Sequence, residues 1–362
     1  MFARKISWLA LECGLLALWI RFGSSAALAA ATALVLIPLV SIPMNLYLKK
    51  KIRLKLTAEA NLHKGDEAEV VLELDNPTAF PVSLSSVLTV ENLLNGMFLR
   101  EKVHLTGGQT TRNLQSNYCG RLRLSVENAR LYDCFGLIGV PLNRRETCHI
   151  TVQPDGFETS ITLDDHTGSG TDAEQYSQYR SGADLTETFQ LREYVPGDSP
   201  RQIHWKLSGK LDRLIVRDPG LPVVQDVLLF WERTAPQETP GSLDAQAEVV
   251  VSLGRAMLEQ DVQFRLGWND TQENRCILHE IRQLDDLIAV LPRLLSARGG
   301  GREHHSGAAL LIQTRPDALC SHMVYVAGTP APEIQDWHSF GMLTIVTPDE
   351  TNYPAQLAAL KL

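Results

Sequence analysis

The first 55 residues constrain this chain more than any other part of it. From Ile6 to Phe22 the sequence is apolar except for Glu12 and Arg21, and from Ala26 to Leu48 it carries no charge. About 20 apolar residues suffice to cross a hydrocarbon core of about 30 Å as a helix. Both stretches, 6–22 and 26–48, are therefore expected to be transmembrane helices. They would be joined across Arg21-Phe22-Gly23-Ser24-Ser25 as a hairpin occupying residues 1–50. Pro38 and Pro43 are tolerated in a membrane helix and kink it. "KKKIRLK" follows the second stretch, and Arg4 and Lys5 precede the first. With both ends of the hairpin positive, both termini and the body are expected in the cytoplasm, on a cell membrane crossed twice. A cleaved signal peptide is the alternative reading of "MFARK" and "SSAALAAA". The segment beyond such a cut still spans, so the body stays anchored. Glu12 is expected near a helix end or paired within the helices.

Charge and cysteine usage narrow the function classes. Residues 1–55 hold eight basic residues against Glu12 alone, and the whole chain is at −8, which leaves −15 for the remainder. An acidic body repels phosphate backbones, so nucleic acid is not an expected partner. The six cysteines are widely spaced and form no CxxC pair, which argues against zinc. A reducing cytoplasm keeps them as thiols.

Residues 51–160 read as short strands separated by turn residues. "AEVVLELDNP" is a strand ended by Asp75-Asn76-Pro77. In "CGRLRLSVENARLYDCFGLIGVPL", Leu122, Leu124 and Val126 alternate with Arg121, Arg123 and Ser125. That rhythm predicts an antiparallel sandwich of immunoglobulin type.

Residues 161–222 open as a polar linker, "LDDHTGSGTDAEQYSQYRSG". Its "GSG" lacks the Lys-Ser/Thr of a phosphate loop, and Asp164, Asp165 and His166 read as solvated. "TETFQLREY" then reads as a strand, Pro196-Gly197 as the centre of a type II turn, and "DRLIVRDPG" as a second strand. Between them, Arg192, Tyr194, Gly197, Asp198, Arg201, His204, Trp205 and Lys206 form the densest polar and aromatic cluster in the chain. One reading is a docking patch of cationic donors, an acceptor and amphipathic rings. The other is a structural corner, with Asp198 paired to an arginine and Trp205 packed under the turn. Catalysis by Glu193, Asp198 and His204 lacks a nucleophile or a metal.

Residues 223–362 change to α/β rhythm. "VVQDVLLFW" reads as a buried strand and "LDAQAEVVVSLGRAMLEQ" as a helix capped by Ser242 or Asp244. "VQFRLGW" reads as a strand and "RQLDDLIAVLPRLLS" as a helix interrupted at Pro292. "AALLIQT", "MVYVAGT" and "GMLTIVTP" read as strands, and "AQLAAL" as a last helix. The alternation predicts a mostly parallel sheet flanked by helices.

The stretch "REYVPGDSPRQIHWKLSGKLDRLIVRD" resembles the signature of the domain-of-unknown-function 58 (DUF58) family. Arg192, Tyr194, Gly197, Asp198, Arg201, Ile203, Trp205, Lys206 and Ser208 match, while Gly209-Lys210 replaces the usual Ala-Arg. "RLYDCFGL" is similar to the family's Asp-Pro-Phe-Gly-Leu segment, with Cys134 for proline. The resemblance implies a C-terminal domain similar to von Willebrand factor type A. It also implies a MoxR-type AAA+ ATPase partner and a transglutaminase-like membrane protein in cell-envelope assembly. A type A metal site needs Asp-x-Ser-x-Ser after the first strand. This chain has Glu232-x-Thr234-x-Pro236, so the site is expected to be degenerate and no metal or cofactor is expected. His304-His305 reads as a solvated pair. The expected function is a non-enzymatic membrane-anchored adaptor. The alternatives are a hydrolase of envelope precursors and a metal-dependent adhesion module.

Overall fold

The computed structural model describes residues 2–361, apart from 79, 134–135, 163–175, 223–226, 234–237, 271–273, 297–305, 321, 349, 351–352 and 357–358. Thr234, Pro236, Cys134, Asp164, Asp165, His166, His304 and His305 lie outside the described residues. The chain forms two compact units, Met1–Gln153 and Pro154–Leu362.

The first unit opens with α1 (Phe2–Phe22) and α2 (Ser25–Lys51), which pack on each other. Gly23 takes φ +65° at the break, a value that favours glycine. Ser24 then caps α2, its Oγ accepting from Ala27 N at 3.4 Å. Among the described residues α2 is the one helix long and apolar enough to cross a membrane. The 21-residue α1 includes Arg4, Lys5, Glu12 and Arg21. Helix α2 runs through both Pro38 and Pro43. Most of its large apolar side chains, with those of α1, are exposed: Leu9, Leu18, Ile20 and Phe22, then Val35, Leu36, Leu39 and Val40.

The end of α2 behaves differently. Asn45, Leu48 and Ile52, just past the helix, are fully buried. Leu48 and Ile52 enter the core of the strands that follow, and Asn45 Nδ2 donates to the Ile138 carbonyl at 3.2 Å.

Those strands are β1 (Arg53–Ala58), β2 (Asn61–His63), β3 (Glu67–Asp75), β4 (Ser83–Asn92), β5 (Phe98–Leu105), β6 (Gly108–Gln115), β7 (Gly120–Tyr132), β8 (Gly139–Pro141) and β9 (Thr147–Gln153). They make two sheets, β1-β3-β6 and β2-β9-β7-β4-β5, with β8 on β7. Leu54, Val70 and Leu72 of the first sheet meet Leu84, Leu124, Val126 and Ile150 of the second in one core. The alternation read in 121–126 is the inward and outward rhythm of β7. The smaller sheet is antiparallel, and the larger is mixed because β2 pairs parallel with β9.

In the second unit β10 (Ser160–Thr162) precedes a long antiparallel pair, β11 (Tyr176–Glu193) and β12 (Ile215–Pro222). A 3-10 turn (Pro200–Gln202) and α3 (Trp205–Leu211) lie between them. Then come β13 (Val227–Trp231), α4 (Pro240–Glu259), β14 (Phe264–Asp270), β15 (Arg275–Ile281), α5 (Leu284–Leu294), α6 (Gly307–Thr314), β16 (His322–Val326), β17 (Met342–Val346), α7 (Tyr353–Gln356) and β18 (Ala359–Lys361). Strand order is β15-β14-β13-β16-β17, parallel except for the antiparallel edge strand β15, and β10 pairs with β18.

Four sequence expectations change here. "AALLIQT" is the helix α6, not a strand: Ser306 caps it, its Oγ accepting from Ala309 N. Thr239, not Ser242 or Asp244, caps α4, and Pro240 starts it. Helix α5 runs through Pro292 to Leu294; the proline lies in the last turn, where few residues remain to misalign. "AQLAAL" splits between α7 and β18.

Candidate functional site

Two sites carry the chemistry anticipated in the sequence. The first is the corner between β11 and β12. Val195 to Asp198 is a β-turn, with Asp198 N donating to the Val195 carbonyl at 3.0 Å and Gly197 at φ +117°. A positive φ at this position is what places glycine there. The turn aims Asp198 back at Arg192. The guanidinium grips the carboxylate with both forks, Nη1 to Oδ2 at 2.6 Å and Nη2 to Oδ1 at 2.8 Å. Its Nε is shared by the two carboxylate oxygens of Asp218, each at 3.1 Å. Val195 N adds a donor to Asp198 Oδ2 at 2.8 Å. These hydrogen bonds, Arg192 first and Val195 second, push Asp198 down to about 2, and the same two aspartates raise Arg192 further.

Polar groups elsewhere in the corner are also in structural use. His204 caps α3, its Nδ1 accepting from Leu207 N at 3.2 Å. Ser208 is buried and its Oγ accepts from Ile215 N at 2.9 Å. Tyr194 N and His204 N bond to the carbonyls of Leu214 and Ile215. Ile203, buried, bridges to Val216.

What remains on the outside is apolar and basic. Trp205 is 66% exposed, so it does not pack under the turn. Leu191, Val195, Leu211 and Leu214 are exposed beside it in sequence, as are Arg201 and Lys206. Glu193 is taken by Arg213. Asp218 was invisible as a partner in the sequence because it lies 26 residues from Arg192. The register Gln190 opposite Asp218 and Arg192 opposite Val216 brings the two together.

The second site lies at the C-terminal ends of β13 and β16, where the chain leaves the central strand in opposite directions. Open α/β sheets place their ligand crevices at such switch points. Glu232 follows β13 and is 1% exposed. Its Oε1 accepts from Arg233 N and Gly307 N, both at 3.0 Å. Its Oε2 accepts from Ala308 N at 3.0 Å and the Tyr325 hydroxyl at 3.1 Å. The carboxylate thus closes the N-terminus of α6, where backbone donors and the helix dipole favour an anion. Gly307 is required by this approach: a Cβ there would meet Asn269 Cβ at 2.9 Å and Glu232 Oε2 at 3.0 Å. Phe230 and Trp337 flank the Tyr325 ring.

Buried polar groups surround it. Asn269 Oδ1 accepts from Arg233 N at 2.7 Å, and the Arg233 guanidinium stacks over Trp231 at 4.5 Å. Gln246 links Trp231 Nε1 to Glu238. Burial raises the Glu238 carboxyl despite Arg233. Burial, then Glu232, push the Cys276 thiol up to about 12. Among the described residues no three His, Cys, Asp or Glu gather as metal ligands. The sequence reading of Glu232 as part of a degenerate metal site missed its partners because Gly307, Ala308 and Tyr325 lie 75 or more residues away. The Ser306-Gly307 start of α6 was the signal that could have found them.

No protein-family model matches the chain. No curated protein matches it. Among solved structures it is similar to the CARDB domain of a Pyrococcus furiosus protein crystallised with two metal ions, at 18% identity over 28% of this chain and 86% of that one, TM-score 0.21. It is similar to a cohesin module of a Clostridium perfringens family 33 glycoside hydrolase, at 11% identity over 28% and 96%, TM-score 0.22. A Listeria innocua beta-glucosidase matches at 14% identity over 28% and 16%, TM-score 0.20. Likenesses this weak carry no argument, and the sandwich rests on its own strand register.

Proposed function

We propose that this protein is a non-enzymatic adaptor held in the membrane by α1 and α2, which uses the β11–β12 corner to dock a partner protein. On this reading the chain is a member of the DUF58 family. The second unit's sheet is then a type A-like domain that has lost its metal site, and the partner is a MoxR-type AAA+ ATPase working in envelope assembly. A transglutaminase-like membrane protein is a further partner on the same reading.

The observation that carries the docking role is the exposure of Trp205 on a corner whose own polar groups are consumed internally. A tryptophan two-thirds exposed loses apolar burial worth about 1.5–3 kcal/mol unless something covers it. Trp and Arg, here exposed as Trp205 and Arg201, are residue types that dominate interface energetics. Membrane anchoring is supported by the apolar side chains that α1 and α2 leave uncovered. A helix apolar on all sides needs an apolar solvent. Arg4, Lys5 and Lys49 to Lys51, flanking the hairpin, support a two-span anchor with a cytoplasmic body.

The test is a crosslinked pull-down of full-length protein from native membranes. Trp205→Ala is expected to melt normally and to lose the ATPase. Asp198→Ala is expected to melt lower and also lose it. Capture undiminished by Trp205→Ala would end the docking reading.

A further inference from the structure

We propose that the outer face of the larger sandwich sheet carries a phosphate-binding cleft, and that the phosphate it takes belongs to an anionic lipid headgroup. The lipid assignment rests on the membrane-anchored reading above; the cleft itself does not.

The cleft holds about 670 Å³ between the end of β7 and the return segment 141–145, within the range of small-ligand sites. Arg130, Arg144 and Arg145 line it with Asn128, Asn143 and Glu127. The backbone builds it. The β4–β7 register slips between Ser85 and Val87, and Asn128 takes φ +51°, so β7 bends at this point. Leu142 N then bonds to the Ala129 carbonyl at 2.8 Å and, with Leu142 buried in the core, fixes the return segment opposite. A second cleft of about 360 Å³ adjoins, shares Glu127 and Arg145, and adds Arg100, Arg123 and the hydroxyls of Thr89, Ser125 and Thr147.

The charges do not cancel. Glu91 is taken by Arg123, which leaves Glu127 as the carboxylate facing both clefts. Arg100, Arg130, Arg144 and Arg145 are exposed and have no ion pair among the described residues. Thr89 is 8% exposed, and its Oγ1 has no hydrogen-bond partner among the described residues. His149 is opposite Arg123 in the β7–β9 register. It is lowered by burial first and then by Arg121 and Arg123. Guanidinium forks bind phosphate oxygens in pairs, and amide and hydroxyl donors complete the set.

Position selects the source. The return segment continues from β8, and the residue before β8, Ile138, accepts from Asn45 near the end of α2. The five residue steps from Gly139 to Arg144 reach at most about 18 Å. The cleft therefore lies on the part of the sandwich that α2 enters, where headgroup phosphates of an anionic leaflet stand.

The experiment uses the full chain in neutral detergent micelles and counts retained lipid by native mass spectrometry. The probes are dioctanoyl phosphatidylglycerol and dioctanoyl phosphatidylcholine, with inorganic phosphate as competitor. Wild type is expected to retain phosphatidylglycerol but not phosphatidylcholine, and to release it as phosphate is added. Retention is expected to weaken about tenfold in R144Q/R145Q and to be unchanged in Arg112→Gln, whose side chain pairs with Glu101. Arg130→Gln is the second variant should the double change lower the melting temperature. Equal retention by wild type and folded variants, or phosphatidylcholine held as well, overturns the site. Phosphate bound by wild type, seen as phosphorus-31 line broadening lost in the variant, without lipid retention, overturns the lipid source alone. Failure of the anchor is read separately, as release of the chain from membranes by alkaline carbonate.

Discussion

Two carboxylates of one kind have opposite settings. Asp198 sits in a turn, gripped by Arg192, and its pairing is fully present above its ordinary value of 3.8. Because the folded value is lower, that contribution disappears as pH falls from 3.8 towards about 2. Wild-type thermal stability is therefore expected to fall more steeply than that of Asp198→Asn across this window, measured by scanning calorimetry. Arg192→Lys is expected to lower stability at neutral pH, since lysine cannot span both aspartates with one planar fork. Glu232 instead is buried beneath four donors. Glu232→Ala orphans Gly307 N, Ala308 N and the Tyr325 hydroxyl, and is expected to cost about 3 kcal/mol in chemical unfolding. The same saturation predicts that magnesium titrated by calorimetry produces no binding heat dependent on Glu232. Cys276, held protonated by burial and by Glu232, is expected to resist maleimide in the native protein and to react once it is unfolded.

At the scale of elements, α2 divides into two regimes. Up to Pro43 its large apolar side chains are mostly exposed; from Met44 one side of it, Met44, Leu48 and Ile52 just past it, packs on the sandwich core. Leu48→Ala is expected to cost about 2–5 kcal/mol, measured on the full chain in micelles. Val40→Ala, on an exposed face, is expected to leave the melting temperature nearly unchanged. The sequence read α2 well because 23 consecutive uncharged residues have few alternatives. It read α6 as a strand because "AALLIQT" is short and uniformly apolar, and period cannot separate buried helix from buried strand at that length. The edge strand β15 was not anticipated, since "RCILHEI" mixes polar and apolar residues without clean alternation.

For the whole molecule, the anchored reading predicts that alkaline carbonate leaves the chain in the membrane pellet, and that protease added outside intact cells spares the body. The layout of apolar helices, β-rich middle and α/β end was legible in composition shifts along the chain. The turn at Pro196-Gly197 and an arginine partner for Asp198 were legible too, because they are local. Exposure of Trp205, the second aspartate at Arg192, the donors around Glu232 and the arginine cleft were not.

The division has one physical cause. Sequence by itself determined what neighbouring residues settle among themselves: apolar length, strand alternation and a Pro-Gly turn. Tertiary structure alone decided which distant groups share a buried volume. Glu232 became a helix cap instead of a metal ligand because α6, 75 residues on, brought Gly307 N to it. Burying a carboxylate costs several kcal/mol unless donors surround it, and no local pattern announces where those donors will come from.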